Sequence, residues 1–276
     1  MNIPSAAHRS WPLPSRPWVL AMQWHDLLFM HWPVPPAVLR PAIPPALELE
    51  TFDGAAWLGV TPFRMKGTRP PLVPPLPWFS AFPELNVRTY VSAEGKPGVW
   101  FFSLDASNPL AVRGARALFH LPYYDAAMSA EHGGGVVRYT STRTHRGAPG
   151  AAFAGRYRPC GPVYQAVVDS IDYCLTERYC LYVANRQRHV WRGDIHHTRW
   201  PLQPAEADIE CNTMTVPLRF RLPHHKPLLH FASRLVMWRG RWRPSSQSDN
   251  ALGGNACICA YFRGSWEAAV GHDTTL

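Results

Sequence analysis

Apolar segments of strand length recur along the chain and end at turn residues, which predicts a protein built mainly from β-strands. The predicted strands cover residues 18–32, 56–65, 85–91, 99–104 and 136–144. The last of these reads VVRYTSTRT, and its alternation of apolar and polar positions is typical of a strand with one exposed face. Three later segments, LTERYCLYVA, HVWRGDIHH and IECNTMTV, are also predicted to be strands.

One segment between strands carries clear helix signals and is predicted to be helical over 108–119. Ser107 or Asn108 can accept a hydrogen bond from the first free backbone N–H groups, and Pro109 suits the first helical position. Pro122 disfavours helical geometry at the residue before it, so the helix is expected to end just ahead of it.

Two further stretches have helical patterns, one at 162–174 with apolar residues at helical spacing and a short one at 37–40 between prolines. Mostly antiparallel strands with two or three helices indicate an α+β or barrel architecture. Residues 18–235 are expected to form the domain. Residues 1–17 are expected to be a flexible leader, and 236–276, which fit no strand or helix pattern, a mobile extension.

The net charge of +9 comes from arginine, because the only lysines are Lys66, Lys96 and Lys226. The arginines are scattered, which is typical of a solvated surface rather than a nucleic-acid site. The stretch WRGRWRP at 238–244 is the one basic and aromatic cluster that could stack on bases. We therefore rank nucleic acid well below a small molecule as the expected partner.

The sequence lacks the common signals for cofactors, metals and export. The six cysteines contain no CxxC pair, which disfavours a zinc ribbon or a thioredoxin-like site. No GxSxG, P-loop or GxGxxG motif supports a triad hydrolase, an NTPase or a nucleotide-dependent oxidoreductase. The apolar stretch 18–32 contains His25, Asp26 and His31, and is too polar to span a membrane. We expect a cytoplasmic protein without a membrane partner, a metal or a cofactor.

Several motifs resemble one known family. The motifs are FPELNVRTYV, LTERYCLYV, IHHTRWPLQPAEADI and the strand–helix segment WFFSLDASNPLAVRGARALFHLP. All four are similar to sequences of the uncharacterised YqjF-like proteins. The resemblance covers about residues 17–232 and extends more distantly to acetoacetate decarboxylase. It implies a double-barrel-like sheet with a central apolar cavity, and it implies no established reaction.

Three functional positions of the decarboxylase carry over through this resemblance. Its cavity carboxylate corresponds to Glu84, while its Schiff-base lysine falls on Tyr123 or Tyr124. Its substrate-binding arginine falls on the segment that contains Trp24 and His25. Because one of the three positions matches, the resemblance implies the fold and the cavity, and the Schiff-base mechanism is not transferred.

Glu84 is the best candidate for a general acid or base, because a carboxyl group in an apolar cavity has a raised pKa and can pass a proton near neutrality. The alternative is a pairing with Arg88, which lies on the same face of the predicted strand. Tyr123 and Tyr124 could offer a phenolic proton to a bound carbonyl, or could pack as rings with satisfied hydroxyl groups.

The other predicted ligand contacts are polar or aromatic residues near the expected cavity: Trp24, His25, Arg88, Asp105, Arg116 and Arg178. Asp105 could instead cap the following helix. Arg178 could bind a carboxylate or form a structural ion pair, and His25 could be a core histidine.

These residues together predict a cavity for a small organic compound that bears an oxo or carboxylate group. The first hypothesis is an enzyme that uses Glu84 and a tyrosine in a lyase- or isomerase-like acid/base reaction without a Schiff base. The second is a non-catalytic binding protein, and the third is nucleic-acid association through the basic surface. Assembly as a homo-oligomer is left open.

Overall fold

The computed structural model describes residues 5–245, except 14, 16, 76–79 and 186, and most of this chain is strand. The strands are β1 (Leu20–Val34), β2 (Glu48–Leu49), β3 (Ala56–Arg69), β4 (Phe82–Ala93), β5 (Lys96–Ala106), β6 (Tyr123–Gly133), β7 (Val136–Arg143), β8 (Ala152–Pro159), β9 (Cys180–Ala184), β10 (Val190–His197), β11 (Gln203–Asn212) and β12 (Leu228–Pro244). The α-helices are α1 (Pro36–Leu39), α2 (Pro109–Phe119) and α3 (Ile171–Thr176), and short 3₁₀ turns cover Arg40–Ala42 and Val216–Leu218.

The strands form one sheet in the order β10-β9-β5-β6-β7-β8-β11-β12-β1-β3-β4-β2. Two additional pairings join β10 to β12 and β4 to β5. The strands β12, β1, β3, β4, β5, β9 and β10 therefore make a closed circuit of hydrogen-bonded neighbours. Neighbours are antiparallel except that β5 runs parallel to β6 and β9, which confirms a mostly antiparallel α+β protein with a few helices.

The central strands β1, β3 and β4 separate two hydrophobic cores. One face of β4 contributes Leu85 and Val87 to the first core, while the other face contributes Phe82 and Tyr90 to the second core. Alternate residues of a strand point to opposite faces, so a strand between two cores must be apolar on both. This explains why β1 and β3 appear in the sequence as largely apolar runs, whereas β4 alternates because its second-core face also carries polar residues.

Helix α2 confirms the helix predicted after the fourth long strand. Asn108 provides the cap, since its side chain accepts hydrogen bonds from the backbone N–H groups of Leu110 and Ala111 at 3.1 and 3.2 Å. The suggestion that Asp105 caps this helix is wrong. His120 ends the helix in the left-handed conformation with φ of 53°.

The helix predicted at 162–174 is wrong over most of its length, because α3 begins only at Ile171. Tyr164 instead exchanges two backbone hydrogen bonds with Leu202, at 2.7 and 2.9 Å, and this tertiary pairing holds the segment extended. Val163 and Val167, the apolar positions that suggested a helix, are exposed.

The predicted end of regular structure at Leu235 is also wrong. Strand β12 continues to Pro244 and pairs with β1 and β10, with Trp238 opposite Ala21 and His196. The sequence of β12 does not show the usual alternation of apolar and polar residues, because this strand buries arginine and tryptophan side chains as well as aliphatic ones. Most of the predicted extension, residues 246–276, lies outside the described residues.

Part of the predicted leader packs against the sheet. Arg9 is 9% exposed, and its Nη1 donates a hydrogen bond to the backbone oxygen of Ile195 at 2.6 Å. His8 Nε2 lies 2.8 Å from the backbone oxygen of His197. Among the helices of the described chain, none has the length and apolar character needed to cross a membrane.

Candidate functional site

Glu84 and Tyr123 meet inside the second core. The pairing of β4 with β5 sets Glu84 opposite Ala106, and the pairing of β5 with β6 sets Leu104 opposite Tyr123. These two registers bring the Tyr123 hydroxyl to 2.9 Å from Glu84 Oε2, to which it donates a hydrogen bond. Glu84 is 2% exposed and Tyr123 9% exposed.

Burial raises the pKa of Glu84 to about 8, against the smaller opposing effect of the Tyr123 hydrogen bond. The nearby carboxylate of Asp105 raises the same pKa further. The pKa of Tyr123 is also raised, by burial and by the proximity of Glu84. At neutral pH both groups hold their protons, and Glu84 is close to its titration point, where a carboxyl group can either give or accept a proton.

A polar row extends along β4 from Glu84. Asn86, Arg88 and Tyr90 follow on the same face, because they occupy every second position, and all are buried. Asn86 Oδ1 and Arg88 Nε have no hydrogen-bond partner among the described residues. Buried polar atoms in native proteins are nearly always paired with protein, water or ligand. The row therefore marks a part of the second core that suits water or a polar ligand.

His31 of β1 closes one end of this row. Its Nε2 lies 2.5 Å from the Tyr90 hydroxyl, and its ring stacks on Phe29 with centroids 5.8 Å apart. Burial lowers the pKa of His31 well below its ordinary value, and the charge of Arg88 lowers it further. His31 is therefore neutral at physiological pH and can take part in hydrogen bonds without adding a second positive charge beside Arg88.

Tyr124 does not join Glu84, because consecutive strand residues point to opposite faces. Its ring lies 4.1 Å from the guanidinium carbon of Arg143 and contacts His145 edge-on. Arg143 holds Asp105 through two bonds, from Nε to Oδ2 at 2.9 Å and from Nη2 to Oδ1 at 2.6 Å. Arg116 donates to the backbone oxygen of Tyr123 at 2.6 Å. The structure thus places Asp105 and Tyr124 on the face away from Glu84.

The predicted contacts on β1 also separate. Trp24 lies in the second core, where its ring packs against Phe63 and Trp200 at centroid distances of 5.3 and 5.7 Å. His25 points to the other face and lies 3.2 Å from the Gln23 side-chain oxygen. Trp24 therefore shares the interior with Glu84, and His25 does not.

Arg178 lines a cleft of about 350 Å³ beside α3. Its Nη1 lies 2.5 Å from Glu50 Oε2, and its guanidinium carbon lies 5.1 Å from the centre of the Tyr90 ring. Burial raises the pKa of Glu50, and the charge of Arg178 opposes this increase. Tyr90 belongs both to the cleft and to the polar row, so the cleft reaches the end of the row that is remote from Glu84.

Residues 21–236 match the DUF2071 family of uncharacterized conserved proteins. The chain belongs to this family. The uncharacterized protein YqjF of Bacillus subtilis (strain 168) is 46% identical over 228 residues, which cover 82% of this chain and 93% of YqjF. These two findings confirm the YqjF-like resemblance that the sequence motifs predicted.

Solved structures with the same fold are distant in sequence. Acetoacetate decarboxylase from Legionella pneumophila is 12% identical, with a TM-score of 0.54 over 86% of this chain and 92% of the decarboxylase. The enduracididine biosynthesis enzyme MppR, in complex with pyruvate, is 12% identical, with a TM-score of 0.54 over 87% of this chain and 94% of MppR. At this identity the likeness establishes an acetoacetate decarboxylase-like fold for the DUF2071 chain, and nothing beyond the fold.

None of the three lysines is buried in this DUF2071 protein. Lys66 and Lys226 are exposed, and Lys96 is half-buried at the start of β5. The sequence did not predict three further buried residues of the interior, His31, Asn86 and Arg239. The regular alternation of β1 and β4 could have placed His31 with Phe29 and Asn86 with Glu84. Nothing local could have placed Arg239, because its position depends on how far β12 extends.

Proposed function

We propose that this DUF2071 protein binds a small organic compound bearing an oxo or carboxylate group in its second core, beside Glu84 and Tyr123. The observation that carries the proposal is the buried hydrogen bond between these two side chains, with a Glu84 pKa of about 8. A buried acid that keeps its proton at neutral pH can donate a hydrogen bond to a carbonyl oxygen, and its conjugate base can remove a proton from an adjacent carbon.

The wall of this site is the closed circuit of strands that β12, β1, β3, β4, β5, β9 and β10 form. We treat this circuit as a barrel around the second core, and the buried polar row of β4 as its lining. The distant fold relative MppR has been observed with pyruvate, an oxo acid, which supports a ligand of this class.

The proposed chemistry is acid/base catalysis of a lyase or isomerase kind, without a Schiff base. An amine nucleophile needs a lysine in a desolvated pocket, and the positions of Lys66, Lys96 and Lys226 offer none. Nucleic acid is the weakest of the three candidate partners, because Trp238 and Arg239 of the WRGRWRP stretch are buried and are not available for base stacking.

Non-catalytic binding is the second candidate, and one observation favours it. The raised pKa values of Glu84 and Tyr123 keep both groups protonated at neutral pH, so neither is a ready base in the free protein. Two protonated donors suit recognition of a carbonyl or carboxylate without turnover. Following bound compounds over time by NMR distinguishes the two candidates.

A thermal-shift screen of the full chain against small oxo acids, hydroxy acids and aldehydes tests the proposal. The variants E84A and Y123F are compared with Y124F, which alters the neighbouring ring on the opposite face. A ligand is expected to stabilise the wild type and Y124F, to lose its effect in E84A and to act less on Y123F. A ligand whose effect is equal in all four proteins, or the failure of every compound to bind the wild type, contradicts the proposal.

A further inference from the structure

Arg239 is a buried arginine whose side chain faces the second core. It lies on β12, opposite Leu20 of β1 and Ile195 of β10, and it is 4% exposed. Leu235 and Met237 precede it at alternate positions and belong to the second core, so Arg239 points into the same interior. This is the interior that contains Glu84 and Tyr123.

Within the described chain, no carboxylate lies at ion-pair distance from this guanidinium. Its Nε and Nη2 have no hydrogen-bond partner among the same residues. Three other largely buried arginines are compensated by a carboxylate: Arg143 by Asp105, Arg178 by Glu50 and Arg192 by Asp194. Arg9 and Arg88 resemble Arg239 in forming no ion pair among the described residues. Burial lowers the pKa of Arg239 to about 10, and the proximity of Tyr123 opposes this change. A buried cation without a counter-charge is costly, and native structures pair such groups.

Two rings hold the guanidinium in place. The centres of the Phe119 and Trp242 rings lie 4.0 and 4.5 Å from its central carbon. Gly193 on β10 leaves the space for Trp242, since a Cβ atom there would lie 2.8 Å from the indole ring. Rings interact with the faces of a guanidinium, while its N–H donors lie on the edge. The site therefore fixes the plane of Arg239 and leaves edge donors unpaired.

We infer that Arg239 is the residue that anchors a carboxylate group of the ligand, and this inference rests on the proposed function. A carboxylate has the geometry to accept two parallel N–H bonds from the edge of a guanidinium. Tyr123 connects the two parts of the site, since it donates to Glu84 and interacts electrostatically with Arg239. A ligand held at Arg239 by its carboxylate presents its oxo group to Tyr123 and Glu84, which makes a short oxo acid the ligand class.

The test compares pyruvate with pyruvamide, which has a similar shape and no charge, by calorimetric titration of the full chain. Formate, acetate and inorganic phosphate are titrated in the same way. The variants are R239M, which keeps the length and removes the charge, and R239K, which keeps the charge and loses the planar donors. R113M, on the exposed side of α2, is the matched control.

Wild type and R113M are expected to prefer pyruvate to pyruvamide. R239M should bind pyruvate at least about tenfold more weakly, a loss of about 1.4 kcal/mol, and should bind both compounds equally. R239K should bind pyruvate with an affinity between those of the wild type and R239M. Because R239M removes an uncompensated buried charge, its unliganded form should unfold at no lower temperature than the wild type. If R239M does not fold, the R239K comparison decides.

The assignment is overturned if no carboxylate binds the wild type more tightly than the Arg239 variants, or if phosphate alone shows that dependence. E84A separates this result from the proposed function. Carboxylate binding that depends on Arg239 and is unaffected by E84A would refute the role of Glu84 and keep the anchor. Oxo-acid binding that depends on Glu84 and is unchanged in R239M would refute the anchor alone.

Discussion

Glu84 keeps its proton because its burial is not compensated by a cation. Among the described residues, no arginine, lysine or histidine lies within ion-pair distance of its carboxyl group, and Tyr123 supplies one hydrogen bond. Its pKa is about 8 in the folded chain, whereas the ordinary pKa of a glutamate side chain is 4.5. Between these two pH values the unfolded chain releases a proton that the folded chain retains, so Glu84 lowers the stability of the protein as the pH rises.

The E84Q variant should remove this pH dependence. The free energy of unfolding of E84Q relative to the wild type should rise between about pH 4.5 and pH 8, by up to about 1.4 kcal/mol for each pH unit. Urea denaturation across this range measures the difference, with E131Q at an exposed glutamate as the control. Parallel curves for wild type and E84Q would show that Glu84 is ionised at neutral pH.

Asp105 and Arg143 form a compensated pair on the opposite face, where both side chains are almost fully buried. D105N should lower the free energy of unfolding by about 3–5 kcal/mol, because it leaves the Arg143 charge buried and unpaired. The double variant D105L/R143M should cost less than D105N alone, since no charge remains. Denaturant unfolding measures both. D208N, in an exposed pair with Arg156, should change stability little. A D105N protein as stable as the wild type would contradict the account of this pair.

The family resemblance grouped Glu84 with Tyr123 or Tyr124, and strand alternation predicted that Glu84 and Arg88 share a face. They were not enough to separate Asp105 from that site, because the facing direction of Asp105 depends on the register between β4 and β5. They also could not place Arg239, whose neighbours come from β1, β6, β10 and α2.

Helix α2 illustrates how far local signals define an element. Its cap, its first-turn proline and the proline that follows it all lie within the segment, and the structure agrees with each. The failed helix at 162–174 had a helical apolar pattern with a proline in its first turn, but the pairing of Tyr164 with Leu202 overrides that pattern. Local chemistry thus predicts an element well where no distant strand competes for its backbone.

Removal of the α2 cap should therefore have a defined cost. N108A should destabilise the protein by about 1 kcal/mol, because two backbone N–H groups lose their acceptor. S107A, at the neighbouring position that also could have been the cap, should change stability by less than about 0.5 kcal/mol. Thermal or urea unfolding of the two variants checks the assignment, and the reverse order of effects would show that Ser107 is the cap.

Strand β12 closes the circuit of hydrogen-bonded strands. It pairs with β1 from Leu228 to Arg239, with β11 near its start and with β10 near its end, and so completes the circuit of hydrogen-bonded strands. The sequence could predict most individual strands, but the closure links residues about 200 positions apart. Such long-range pairing has no local signature, which is why the sequence pattern placed the end of regular structure at Leu235, within β12.

Truncation after Leu235 should abolish folding, because it removes the half of β12 that pairs with β10 and removes Arg239 from the site. Truncation after Ser245 keeps every strand of the described sheet and should preserve a cooperative unfolding transition. Circular dichroism with thermal unfolding distinguishes the two proteins. A folded, cooperative chain that ends at Leu235 would show that the pairing of β10 with β12 is dispensable.

The most direct test of the central claim is the titration of Glu84 itself. Infrared difference spectroscopy of wild type against E84Q, from pH 5 to pH 10, follows the carbonyl stretch of the protonated carboxyl group. We predict a protonated Glu84 at pH 7 that titrates near pH 8. An ionised carboxylate throughout this range would contradict the claim that the second core holds a proton donor for an oxo compound.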